Sequence, residues 1–154
     1  IFLARWLAYV LIAAFLIFLI LIKDKRLRRQ VFLLAILAVV ASRLFFTELI
    51  RIAWSRPRPF ELFEVNLLVP HEASASFPSG HMAFFFALAV IVFLYSKKTG
   101  FWFLLASFLM GLARVFVGVH YPLDVLTGMV LGAIVGCLVS FFWQKYLLEK
   151  KIEK

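Results

Sequence analysis

Arg51 with Arg58-Pro59, the tetrapeptide Pro78-Ser79-Gly80-His81, and Arg114 with His120 and Asp124 form three short polar clusters in an otherwise apolar chain. Ionisable groups in or beside membrane helices are energetically expensive and persist mainly where they have a function. These clusters supply three guanidiniums, two imidazoles and one carboxylate. Guanidinium forks match phosphate oxygens. One imidazole can attack phosphorus while the other protonates the departing oxygen. The inventory points to phosphoryl chemistry at a membrane surface.

Local sequence sharpens each part. Pro78-Ser79-Gly80-His81 directly precedes an apolar stretch, which predicts a helix start. The first turn of a helix offers unpaired N–H groups and the positive end of the dipole, and both favour an anion. Ser79 suits the N-cap, Gly80 lets a phosphate oxygen approach the backbone, and His81 stands over that site. His120 and Asp124 are four residues apart, across Tyr121-Pro122-Leu123. Pro122 suits the first turn of the next helix, and Asp124 just inside it is favoured by the dipole. From there a carboxylate can accept a hydrogen bond from one imidazole nitrogen and leave the other to attack. Stabilising the helix end is the alternative role for Asp124. Arg114, close to hydrocarbon, needs an anionic partner or a route to water. Of the three arginines between residues 51 and 58, Arg56 is read as a lipid-headgroup contact.

The elements that must hold these clusters are membrane helices. At 154 residues and 65% hydrophobic, the chain is one domain, residues 1–154, far above the roughly 45–50% apolar content of soluble domains. Five spans are expected, at residues 1–22, 31–50, 81–96, 101–117 and 123–146. A short interfacial helix is expected at 61–68, within a stretch broken by Pro57, Pro59 and Pro70. The fold class is therefore all-α, a polytopic transmembrane bundle. Cys137 is the single cysteine and excludes a disulfide framework within the chain. Gly128, Gly132 and Gly136 form a small-residue stripe, read as packing within the chain rather than a dimer seam.

The net charge of +9 is a topology signal rather than a nucleic-acid footprint. Eleven of the 17 basic residues fall in the 23–29 loop, the Lys97-Lys98 turn and the tail from Lys145, which are alternate connections. Positive connections lie on the cytoplasmic side. All three polar clusters then fall on the outer, extracytoplasmic face of the cell's inner membrane.

Taken together, these residues resemble the type 2 phosphatidic acid phosphatase superfamily of membrane lipid phosphatases. Its first motif, a lysine, six residues, then Arg-Pro, reads here as Arg51, six residues, Arg58-Pro59. Its second stands intact as Pro78-Ser79-Gly80-His81. Its third, Ser-Arg, five residues, His, three residues, Asp, reads as Ala113-Arg114, His120 and Asp124. Arg51 replaces the lysine and keeps its charge; Ala113 replaces the serine, so no hydroxyl role carries over. The family commonly has six spans, so by parity the first span here corresponds to the family's second, and the resemblance implies a further helix ahead of Ile1.

The resemblance implies hydrolysis of a lipid phosphate monoester or diphosphate through a phosphohistidine. His120 would be the nucleophile, Asp124 its orienting partner, and His81 the general acid. Arg51, Arg58, Arg114 and the backbone around Ser79 and Gly80 would bind the phosphate. No cofactor or metal enters, and His71, His81 and His120 match no compact zinc spacing. The substrates implied are undecaprenyl diphosphate, lipid A 1-phosphate, phosphatidylglycerol phosphate and phosphatidic acid. The implied partners are the lipid and its bilayer, with no nucleic acid. A non-catalytic lipid-binding or lipid-translocating protein is the alternative, but binding alone has no use for an oriented nucleophile.

Overall fold

The computed structural model describes residues 2–64 and 74–152, and every regular element among them is helical. The first apolar run is broken at Trp6 into α1 (Phe2–Arg5) and α2 (Leu7–Leu21). After a short connection α3 (Lys25–Val39) passes through a π-helical stretch, Val40–Phe46, into α4 (Thr47–Ala53) without a break. A single turn, α5 (Pro59–Leu62), lies in the long connection to α6 (Gly80–Tyr95), which is followed by α7 (Lys97–Phe116) and α8 (Pro122–Ile152).

Among the described residues, three segments can cross a membrane by length and composition: Lys25–Ala53, Lys97–Phe116 and Pro122–Tyr146. The other two apolar helices, α2 and α6, have 15 and 16 residues. At 1.5 Å per residue they reach somewhat short of a ~30 Å hydrocarbon core. The second span begins at Lys25 rather than Val31, because the Asp24 carboxylate accepts hydrogen bonds from the N–H groups of Arg26 (2.7 Å) and Leu27 (3.2 Å). Basic residues thus ride on the helix instead of forming a loop. The fourth span likewise starts at Lys97. Ser96 caps it, accepting from the Thr99 N–H at 3.4 Å, so the expected four-residue turn shrinks to Ser96 alone. Gly100 permits that tight reversal: a Cβ there would fall on the backbone of Phe93. Of the interfacial helix expected at 61–68, residues 65–68 lie outside the described residues, as does His71.

α6 is the central helix. Met82, Ala83, Ala87, Ala89, Ile91 and Val92 are fully enclosed, while Ile20, Ile52 and Phe116 stand exposed on the outside of the bundle. That distribution suits a lipid surround, where close packing rather than escape from water joins helices. The glycine stripe makes this packing. Gly128, Gly132 and Gly136 of α8 lie against the carbonyls of Ser79, the N-cap of α6, and of Ala83 and Ala87 within it, so the two helices run parallel in constant register. A Cβ at Gly132 would stand 2.5 Å from the Ala83 carbonyl oxygen. The stripe is a seam inside the chain, and it fixes the start of α6 against the start of α8.

Because α2, α3–α4, α6, α7 and α8 alternate in direction, the ends carrying Lys23–Arg29 and Lys97-Lys98 lie opposite the end carrying the three polar clusters.

Candidate active site

The polar end of the bundle is assembled by helix termini. Gly118 takes a positive φ of 77° in the turn after α7, a conformation that favours glycine. The turn returns the chain as Val119-His120-Tyr121 to the start of α8. There the Asp124 carbonyl accepts the Ser79 N–H at 2.9 Å, which ties the second cluster to the third. The Arg51 guanidinium donates through Nη2 to the Pro78 carbonyl at 3.2 Å, which brings in the first cluster. All three clusters therefore meet, although 73 positions separate Arg51 from Asp124 in the sequence.

His120 is 2% exposed and Asp124 wholly buried. Their approach differs from the direct hydrogen bond expected: His120 Nδ1 and Asp124 Oδ2 are 3.7 Å apart, too long for one. Ser76 stands between them. Its hydroxyl lies 3.3 Å from Nδ1 and donates to Asp124 Oδ2. Asp124 Oδ2 also accepts the Tyr121 N–H at 3.0 Å, and Oδ1 accepts Arg56 Nη1 at 3.0 Å. The carboxylate is thus fully enclosed by donors, as a buried charge must be. Nδ1 is engaged with this network, and Nε2 is the nitrogen that takes no part in it. Burial above all, followed by the charges of Arg114 and Arg58, lowers the His120 pKa to about 4 against the pull of Asp124. The ring is neutral at physiological pH, the state that can act as a nucleophile.

The arginines divide by what they hold. Arg58 is 3% exposed and ties the loop together, donating through Nε and Nη2 to the Ser74 carbonyl and hydroxyl (3.0 Å each) and through Nη1 to the Val119 carbonyl (2.9 Å). Burial and the neighbouring Arg51 charge lower its pKa to about 10, so it keeps its charge. Arg114 is buried rather than snorkelling, and Nη1 donates to the Ala4 carbonyl at 3.3 Å. The last turn of α1 is therefore part of the site's wall. Among the described residues, Arg51 Nε, Arg114 Nε and Ser79 Oγ are buried without a hydrogen-bond partner. Buried polar groups are rarely left so. Ser107 Oγ, Ser140 Oγ and Trp143 Nε1, in α7 and α8, are the others, whereas the three from the clusters suit an anionic ligand with several oxygens.

Four details depart from the sequence reading. Ser79 occupies the N-cap position, but its hydroxyl makes no cap bond. The Ser79 N–H is taken by Asp124, so the N–H groups that remain ahead of the helical ladder begin at Gly80. The space beside Gly80 is filled by Arg43, whose Nε would lie 2.5 Å from a Cβ there. Arg56 is bound to Asp124 and stacks 3.8 Å over the Tyr121 ring, so it belongs to the site rather than to lipid headgroups alone. His81, half-buried in the first turn of α6, lines a cavity with Gly80 and Arg43. The sequence assigns no role to Ser76 or to Arg43, which lies with Glu48 towards the far end of the second span. A serine two residues before Pro78 and an arginine late in a span carry no local signal, although an intramembrane arginine warrants a partner by itself.

A family model described as the PAP2 superfamily matches residues 32–147. The chain belongs to the PAP2 superfamily. The matched region contains all three clusters and the α6–α8 seam. Among curated proteins, a bacitracin transport permease protein BcrC of Bacillus licheniformis is 41% identical over 108 residues, covering 65% of this chain and 53% of that protein. A lipid A 1-phosphatase of Rhizobium johnstonii is 32% identical over 123 residues, covering 69% of this chain and 49% of that protein. The chain spans about half the length of the curated relatives it matches. Among solved structures, LpxE of Aquifex aeolicus superimposes with a TM-score of 0.72 at 32% identity, covering 86% of this chain and 80% of that one. The PAP2-type phosphatidylglycerolphosphate phosphatase of Bacillus subtilis gives a TM-score of 0.63 at 27% identity, covering 92% and 78%.

Proposed function

We propose that the chain is the catalytic unit of a membrane lipid phosphatase that hydrolyses a phosphate monoester or diphosphate headgroup through a phosphohistidine. The observation that carries this reading is the buried His120, with Nδ1 engaged by Ser76 beside Asp124 and Nε2 outside that network. A lipid-binding or translocating protein would need the arginines but not this oriented ring. Similar proteins named lipid A 1-phosphatase and undecaprenyl-diphosphatase support the same reaction class.

In this mechanism the phosphate oxygens lie among Arg51, Arg58, Arg114, the Ser79 hydroxyl and the first-turn N–H groups near Gly80. Nε2 of His120 attacks phosphorus, the bond to the leaving oxygen breaks, and His81 supplies the proton that oxygen takes up. Asp124, held in place by Arg56 and Ser76, steadies the ring as it gains positive charge. Water, giving its proton back to His81, then attacks phosphorus, the N–P bond to His120 breaks and inorganic phosphate is freed. Stabilisation of charge on the equatorial oxygens by fixed donors supplies most of the rate. The basic ends of the bundle lie opposite the site, which supports an active site on the extracytoplasmic face of the inner membrane.

The test is phosphate release in detergent from a panel of lipid phosphates and diphosphates, comparing the wild type with His120→Ala. The wild type should release phosphate and a well-folded His120→Ala protein should not. Equal release by both removes the mechanism, and binding without release by the wild type favours the non-catalytic alternative.

A further inference from the structure

Between α2, the π-helical stretch and the start of α6 lies a cavity of about 250 Å³. Arg43, Gly80 and His81 form its polar side, and Tyr9, Ile12 and Phe84 its apolar side. In the proposed reaction His81 protonates the leaving oxygen, so that oxygen must come within hydrogen-bond reach of the imidazole. Because His81 lines this cavity, the atom bonded to the far side of the leaving oxygen is brought next to it. In a lipid monoester that atom is carbon, and an apolar wall would suffice. In a lipid diphosphate it is phosphorus, bearing anionic oxygens.

A guanidinium has been brought to this place. The π-helical stretch Val40–Phe46 widens the helix at Arg43, and such insertions are common at functional sites. Gly80 supplies the second condition, since any side chain there would collide with Arg43 Nε. Glu48 pairs with Arg43, but it also accepts from Arg51 Nη1 at 3.2 Å. One carboxylate shared by two guanidiniums leaves a net positive charge. We infer that Arg43 binds the leaving-group phosphate of a lipid diphosphate, so that this cavity is a second phosphate subsite and makes diphosphates the preferred substrate class. The inference rests on the phosphatase reading given above. At about 250 Å³ the space suits a phosphate and the first carbons of a lipid chain, below the ~300–1,000 Å³ of drug-sized sites.

The experiment compares a prenyl diphosphate with the prenyl monophosphate of the same chain, using the full chain in detergent and the wild type, Arg43→Gln and Arg43→Lys. A charge-assisted contact to the leaving phosphate predicts that Arg43→Gln lowers the diphosphate-to-monophosphate ratio of kcat/KM by about 10- to 100-fold, with partial recovery in Arg43→Lys. An unchanged ratio, or two rates that fall together, overturns the subsite and leaves Arg43 as the partner of Glu48. A second readout needs no turnover. Methylenediphosphonate should raise the melting temperature of the wild type more than inorganic phosphate does, and Arg43→Gln should abolish that excess. Equal shifts for both anions in the wild type also overturn the subsite. Activity in a folded His120→Ala protein would instead defeat the phosphatase mechanism, whichever way the anion shifts fall.

Discussion

Substituting Arg56 separates a working part of the site from a lipid-headgroup contact. Its Nη1 donates to Asp124 Oδ1 at 3.0 Å, and its guanidinium lies 3.8 Å over the Tyr121 ring. Asp124 is wholly buried, whereas the Arg56 side chain is 28% exposed. Breaking a fully buried pair costs about 3–5 kcal/mol, and partial exposure brings Arg56 towards the ~1.5–3 kcal/mol of one charge-assisted hydrogen bond. In the proposed mechanism Asp124 steadies His120 as that ring gains charge, so the loss should fall mainly on the transition state. At ~1.4 kcal/mol per decade, Arg56→Gln then lowers kcat by roughly 10- to 150-fold, with KM changed only a few-fold. Arg56→Lys keeps the charge, loses the planar stacking, and should fall between. The assay is steady-state phosphate release, with melting in the same detergent to verify the fold. A kcat within about twofold of wild type in a stable Arg56→Gln protein would refute the coupling of Arg56 to catalysis through Asp124.

Two other outcomes follow from the same geometry. His120 titrates at about 4 in the protein against an ordinary 6.5, so the native state binds fewer protons between those values and loses stability as pH falls through that window. Relative to His120→Gln the wild type should give up as much as about 3 kcal/mol from pH 6.5 to 4, with no such difference above pH 7, and parallel melting curves across that range would contradict the neutral buried ring. Gly132→Val should sharply destabilise the protein, by 2 kcal/mol or more on the ~1–3 kcal/mol scale of overpacking, because its Cβ meets the α6 backbone rather than a movable side chain. An unshifted melting temperature would contradict the α6–α8 seam.

The clusters were legible because each lies at a helix terminus, where Pro, Gly, Ser and Asp mark the boundary in local sequence. Arg51, Ser79, Arg114, His120 and Asp124 accordingly meet at one end of the bundle. Helix starts differ from the expected ones where charged residues suggest a loop. Asp24 and Ser96 are good N-caps, and weighing them would have placed the starts at Lys25 and Lys97. Contacts remote in sequence were the unreadable part. Ser76 reaches Asp124 across 48 positions and Arg56 across 68, and no local pattern reports either. The π-helical widening at Arg43 also left no trace, because it shifts the helical register without altering the apolar composition. Gly80 was read as room for a phosphate oxygen, and in three dimensions the same missing Cβ makes room for a guanidinium.

The central claim is that His120 is a nucleophile. It is tested most directly by mixing the protein briefly with a lipid diphosphate radiolabelled in its terminal phosphate, quenching in alkali and mapping the protein-bound label. Phosphohistidine survives alkali and is lost in acid. The account predicts acid-labile label on His120, absent from His120→Ala and appearing no more slowly than inorganic phosphate. Label on another residue, or the same label in His120→Ala, would contradict it.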